Sequence, residues 1–383
     1  MLLLVKHRKA TMYTTLRRFF ILLPMLALFL APLAGGLLRG LPVAFLEFPP
    51  RTQYIPHAPF APTVFAFFAA LTVGTLCLLI QPRWFGFRQT TSSSLVTRHS
   101  SFPAWFWLGV ALNVISWVGA WGRFTWLGEF KDHTFFPLWF GFILAMDGLV
   151  CRRTGTSLLR RSPFTFFILF PISAVAWWYF EYLNRFVQNW WYEGAAQFSA
   201  LHYVFFATLS FSTVLPAVFE MQTLLASFRW FQEAYSRGPT WKPWPRPLLA
   251  AVPLAGIVGL ILLARLPNPL FFTLWLSPLA ILAGSLALAG VETPFSDLKK
   301  GNYSALFSLG VAALACGFFW EMWNYFSLPK WHYAVPYVCI AKIFEMPISG
   351  YGGYLPFGPI CWCFWLAAKE LLGLKKEDMD RPK

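Results

Sequence analysis

About ten stretches of apolar residues, each long enough to cross a bilayer, leave the chain almost no choice of fold class. They lie at roughly 19–38, 60–81, 104–121, 134–151, 163–183, 205–228, 248–265, 269–290, 303–325 and 353–372. A helix needs about 20 apolar residues to span the hydrocarbon core, and every backbone N–H and C=O there must be satisfied internally. The expectation is an all-α polytopic membrane protein. Only 12% of the 383 residues are Asp, Glu, Lys or Arg, against about 25% in soluble domains. Aromatics reach 20%, which suits belts of Trp and Tyr at the headgroup layer.

Charge placement predicts the orientation. With an inside N-terminus, 23 of the 31 Lys and Arg residues fall on the inside. The other eight, Arg39, Arg51, Arg123, Lys131, Arg185, Arg265, Lys330 and Lys342, fall outside. The bias places both termini in the cytoplasm and points to a bacterial inner membrane. It also explains the net charge of +15 without a nucleic-acid partner. The first span, with its basic start and Ala34-Gly35-Gly36, also has the form of a signal peptide.

An internal repeat organises the remainder. WWYFEYLNRFVQNWWY at 177–192 matches FFWEMWNYFSLPKWHY at 318–333. At an offset of 140, Glu181 falls on Glu321, Asn184 on Asn324, Phe186 on Phe326 and Trp191 on Trp331. Leu215-Pro216 falls on Leu355-Pro356, and FFPLW at 135–139 resembles FFTLW at 271–275. The division is then 1–100 with helices one and two, 101–245 as a first four-helix repeat, and 246–383 as a second repeat with a cytoplasmic tail. Four spans per repeat make the copies parallel, related by an axis along the membrane normal.

Ionisable groups inside spans are costly and mark candidate sites. Glu181 and Glu321, each with an Asn three residues on along the same helix face, are the expected acid–base groups. Asn184 and Asn324 are expected to orient them. Glu220, Trp191, Trp331, His332, Tyr333 and Glu345 are expected to bind substrate. The Gly-rich run at 350–354 is expected to allow close backbone approach. Arg185 is placed to pair with Glu181, and Asp147 to reach the inner interface near Arg152. Glu220, four residues after Pro216, is also placed to satisfy the backbone carbonyl that this proline frees.

No nucleotide loop, HExxH or GxSxG motif is present, so no cofactor or metal is expected. The six cysteines read as small apolar residues. Three functions fit these residues: an enzyme acting on a lipid or isoprenoid near the outer leaflet, a proton-coupled transporter or flippase, or a non-catalytic scaffold. Membrane lipids and a lipophilic small molecule are the expected partners.

Overall fold

A computed structural model describes residues 2–50, 52–88 and 101–374. Among the basic residues that set the expected orientation, Arg51, Arg98, Lys375, Lys376, Arg381 and Lys383 lie outside the described residues. In chain order the elements are α1 (Leu2–Leu38), α2 (Pro62–Ile80), α3 (Ala104–Gly122), α4 (Phe135–Thr154), α5 (Leu158–Arg161) and α6 (Pro163–Val187). Then come β1 (Trp190–Glu193), α7 (Ala200–Phe211), α8 (Val214–Ala226), α9 (Arg229–Tyr235), α10 (Arg246–Arg265), α11 (Thr273–Leu288) and α12 (Ser304–Tyr325). The chain continues through β2 (Lys330–Tyr333), β3 (Lys342–Ile343) and β4 (Met346–Pro347) to α13 (Tyr354–Leu372).

Eight helical segments are long and apolar enough to cross a membrane, with α7 and α8 counted as one. The chain is therefore a helical multi-pass membrane protein. α11, at 16 residues, is a shorter apolar helix. α13 does not belong to the eight, yet it runs the same course. Its start meets Glu321 through Tyr354, and near its end Glu370 pairs with Arg17 at 2.7 Å.

The connecting segments gather at two ends. At one end, Arg88 bonds Arg237, Gly238 bonds Gly301, and Tyr303 bonds Tyr235, all through backbone atoms. At the other, His57 reaches the Gln188 carbonyl at 3.1 Å and Arg123 donates to the Phe326 carbonyl at 2.6 and 2.8 Å. The core lies between, around Trp139, Trp365, Tyr179 and Phe180. α2 buries none of its residues, and its exposed apolar side chains need lipid around them.

α1 packs into this bundle. The Tyr182 hydroxyl donates to the Phe29 carbonyl at 2.6 Å. Gly35 lies so close to α10 that a Cβ would come within 2.1 Å of the Ile261 carbonyl oxygen. The small residues at its end thus serve close helix packing.

The sixth expected span is broken at Ser212-Thr213, between α7 and α8. The buried Ser173 of α6 seals the break. Its hydroxyl donates to the Phe211 carbonyl at 2.6 Å and accepts from the Leu215 N–H at 3.0 Å. Glu220 does not fill this role; its carboxyl lies beside that of Asp147. Asp147, expected to reach water at the inner end of its helix, is fully buried instead. It accepts from the Trp105 indole at 2.9 Å and from the Leu159 N–H at 2.9 Å. The unsatisfied N-terminal amides of a short helix attract a carboxylate more strongly than open interface does.

Candidate functional site: two buried carboxyls behind an aromatic wall

Glu181 and Glu321 are both fully buried, each on the last turns of its helix. One oxygen of each collects three donors. Glu181 Oε1 accepts from Trp177 Nε1 at 3.2 Å, Trp190 Nε1 at 3.0 Å and the Tyr192 hydroxyl at 2.6 Å. Glu321 Oε1 accepts from Trp331 Nε1 at 3.4 Å, the Tyr333 hydroxyl at 2.7 Å and the Tyr354 hydroxyl at 2.8 Å. The second oxygen, Oε2, of each has no hydrogen-bond partner among the described residues.

The asparagines have a different task from the one expected. Asn184 donates to the Trp190 carbonyl at 2.7 Å and accepts from the Asn189 N–H at 2.8 Å. Asn324 donates to the Trp331 carbonyl at 2.8 Å and accepts from its N–H at 2.9 Å. Each amide replaces water for backbone leaving a helix and entering a strand. The asparagines therefore act on the strands, and the strands carry four of the donors that reach the carboxyls; Trp177 of α6 and Tyr354 of α13 supply the others.

β1 and β2 pair antiparallel, with Trp190 opposite Tyr333, Trp191 opposite His332, and Tyr192 opposite Trp331. Side chains alternate across a strand, and this alternation sorts the expected residues. Trp331 and Tyr333 line a cavity of about 290 Å³, together with Trp190 and Tyr192. Trp191 and His332 stack on each other, ring centres 4.6 Å apart, and neither lines the cavity. Hydrogen-bonding roles match Trp190 with Trp331, so the offset of 140, which sets Trp191 on Trp331, is one residue short here. The second segment takes one more residue between the asparagine and the tryptophan it holds, seven positions from Asn324 to Trp331 against six from Asn184 to Trp190.

Glu345 and Glu220 also lie away from the cavity lining. Glu345 belongs to an ion cluster around His332. Lys330 Nζ lies 2.6 Å from Glu345 Oε1, His332 Nδ1 3.1 Å from Glu345 Oε2, and His332 Nε2 2.7 Å from Glu193 Oε2. Burial pushes the Glu345 carboxyl up, but hydrogen bonds and charge from Lys330 and His332 outweigh it and hold it below the usual range. Arg185 does not pair with Glu181; its guanidinium donates to the Phe45 carbonyl at 2.7 Å.

The depressed value of Glu345 has a signed consequence. Its contribution is complete above the carboxyl's unfolded value and lost as pH falls through the lower folded value. Thermal melts should hold steady from neutral pH to the ordinary carboxylate range and then fall. Glu345→Gln should be less stable at neutral pH, by roughly 1 kcal/mol, with a shallower acid decline. An unchanged acid profile in the variant counts against the cluster.

Several cavity residues escape sequence reading. Trp275 comes from α11, Tyr203 and Ser210 from α7, and Tyr354 from α13. Tyr354 reaches Glu321 from 33 residues away, a distance no helical spacing reveals. His133 and Asp132 also line the cavity. His133 Nε2 lies 3.0 Å from His202 Nε2, so one ring donates and the other accepts. Burial and then His202 hold His133 below the ordinary imidazole value. Among the described residues no group of three metal-ligating side chains occurs, and none of the six cysteines forms a disulfide.

No protein-family model matches the chain, and neither a curated protein nor a solved structure matches it.

Proposed function

We propose that this protein binds a lipophilic small molecule in the aromatic cavity and performs acid–base chemistry on it, with Glu181 and Glu321 supplying and taking up the protons. One observation carries this reading: Tyr192, Tyr333 and Tyr354 line the cavity while donating to the buried carboxyls. The carboxyls themselves stand behind this wall. A tyrosine hydroxyl can pass a proton to the ligand and take one from the carboxyl behind it. The ring faces hold an isoprenoid or acyl body and favour any positive charge developing on it.

The location of the cavity supports this reading over a transport path. It lies beside the paired glutamates and not beside Glu220, the mid-span carboxyl that a transport path would use. The charge bias supports an inside N-terminus in a cell inner membrane, which sets the cavity toward the outer leaflet. The matched hydrogen bonds of the two Glu–Asn segments support a duplication. The register of β1 on β2 supports a pseudo-two-fold axis through the Trp191–His332 pair. The copies have diverged: α7 occupies the place where the second half has β3, β4 and a glycine-rich turn, and Tyr354 occupies the place of Val214.

Mass spectrometry of small molecules retained in mild detergent tests the function. Wild type should retain a defined lipophile. Ala207→Trp, which fills the cavity from α7, should lose it. Glu181→Gln/Glu321→Gln should still bind but hold a species of different mass or chromatographic retention. The same bulk phospholipids in all three folded proteins would sink the proposal.

A further inference from the structure

The sequence marks no residue as the anchor for a ligand's polar group, but the cavity contains one. Asn189 stands between α6 and β1, 6% exposed, and lines the cavity. Its side-chain oxygen Oδ1 is buried without a hydrogen-bond partner among the described residues. The backbone of Asn189 is fully engaged: its N–H donates to Asn184 Oδ1 and its carbonyl accepts from the Ala334 N–H at 2.8 Å. The side chain is thus held in place by its own main chain and left unused. A buried amide without partners costs free energy that a ligand's polar group recovers on binding.

The charge of the lining narrows the ligand further. The described lining contains no Lys or Arg. Its ionisable members besides tyrosine are Asp132 and His133, and His133 is held toward its neutral form. Glu181 and Glu321 stand directly behind the wall. A carboxylate or phosphate head would enter without a cation to meet it and would face acidic groups. An amide both donates and accepts, which matches a hydroxyl.

We infer that Asn189 is the anchor for the polar end of the ligand, and that the ligand is a neutral lipophile with a single hydroxyl rather than a fatty acid or a phospholipid. The inference rests on the proposed cavity function and adds the substrate class and the residue that selects it. A cavity of about 290 Å³ lies at the small end of ligand sites, roughly 300–1,000 Å³, so the anchored alcohol is short.

Photo-crosslinking tests it with a diazirine-bearing farnesol, competed by farnesol, farnesoic acid or farnesene in the full-length protein in detergent. Labelled peptides should carry cavity residues such as Tyr203 or Trp275. Farnesol should compete about tenfold better than farnesene, the scale of one buried hydrogen bond, and farnesoic acid should compete worst. Asn189→Leu keeps the volume and the backbone bonds, and should bring farnesol down to the level of farnesene. Asn189→Ser, which keeps a hydroxyl, should restore part of the preference. Cavity labelling with the alcohol preference unchanged in Asn189→Leu overturns the anchor and leaves the cavity reading standing. Equal competition by acid and alcohol in wild type overturns the ligand class. Labelling that avoids the cavity altogether overturns the cavity reading itself.

Discussion

Replacing Glu321 by leucine should unfold the cavity wall, at a cost of about 3–6 kcal/mol. The carboxyl oxygen Oε1 ties three elements together: Trp331 and Tyr333 of β2, and Tyr354 of α13, all converge on a residue of α12. Leucine leaves a half-buried indole N–H and two half-buried hydroxyls without their acceptor, at about 1–2 kcal/mol each, the lower part of the range for an unsatisfied group. Glu321→Gln keeps an acceptor oxygen and should lose much less. Glu181→Leu should behave the same way through Trp177, Trp190 and Tyr192. Thermal unfolding followed by tryptophan fluorescence reads the effect. A leucine variant as stable as the glutamine variant would show that the convergent donors contribute nothing, and the wall would then need another explanation.

The second large effect concerns the break between α7 and α8. Ser173→Ala should cost about 2–4 kcal/mol, because it orphans the Phe211 carbonyl and the Leu215 N–H together. Both backbone groups belong to a segment long and apolar enough to cross a membrane, where no water replaces the lost hydroxyl. Ser173→Thr retains the hydroxyl and should recover most of the loss. The break also bears on the cavity, since Val214, Phe211 and Ser210 line it. Ser173→Ala should therefore weaken farnesol crosslinking along with stability, whereas an alanine at the exposed Val175 should change neither.

The two effects have a common origin. In lipid, a polar group has no solvent to fall back on, so each buried donor or acceptor must find its partner within the protein. Glu181, Glu321, Asn184, Asn324 and Ser173 each supply several such partners at once. Several buried polar atoms still lack a partner, Glu181 Oε2 and Glu321 Oε2 among them, but of the described residues with such an atom only Asn189 lines the cavity.

What could be read from the chain alone follows from local chemistry. Apolar run length selects helices that span a membrane, and the alternation of basic loops predicts which ends of those helices lie together. The repeated Glu-x-x-Asn picks out two carboxyls that the fold buries at corresponding places. The helix break was partly legible too, because Pro216 marks it. Its closure was not, since the hydroxyl that seals it lies on another helix, 38 residues from Phe211 and 42 from Leu215.

Only tertiary structure decided which aromatic residues face the cavity. Trp190 and Trp191 are neighbours of the same type, yet one donates to Glu181 and lines the cavity while the other stacks on His332. Strand alternation makes that division, and its phase is set by pairing with a strand about 140 residues away. The same holds for Asp147, drawn inward by the amide of Leu159, and for Tyr354, brought to Glu321 by the packing of α13 on α12. Periodicity along the chain determines which groups must be buried; the contacts made on folding determine which partner each of them meets.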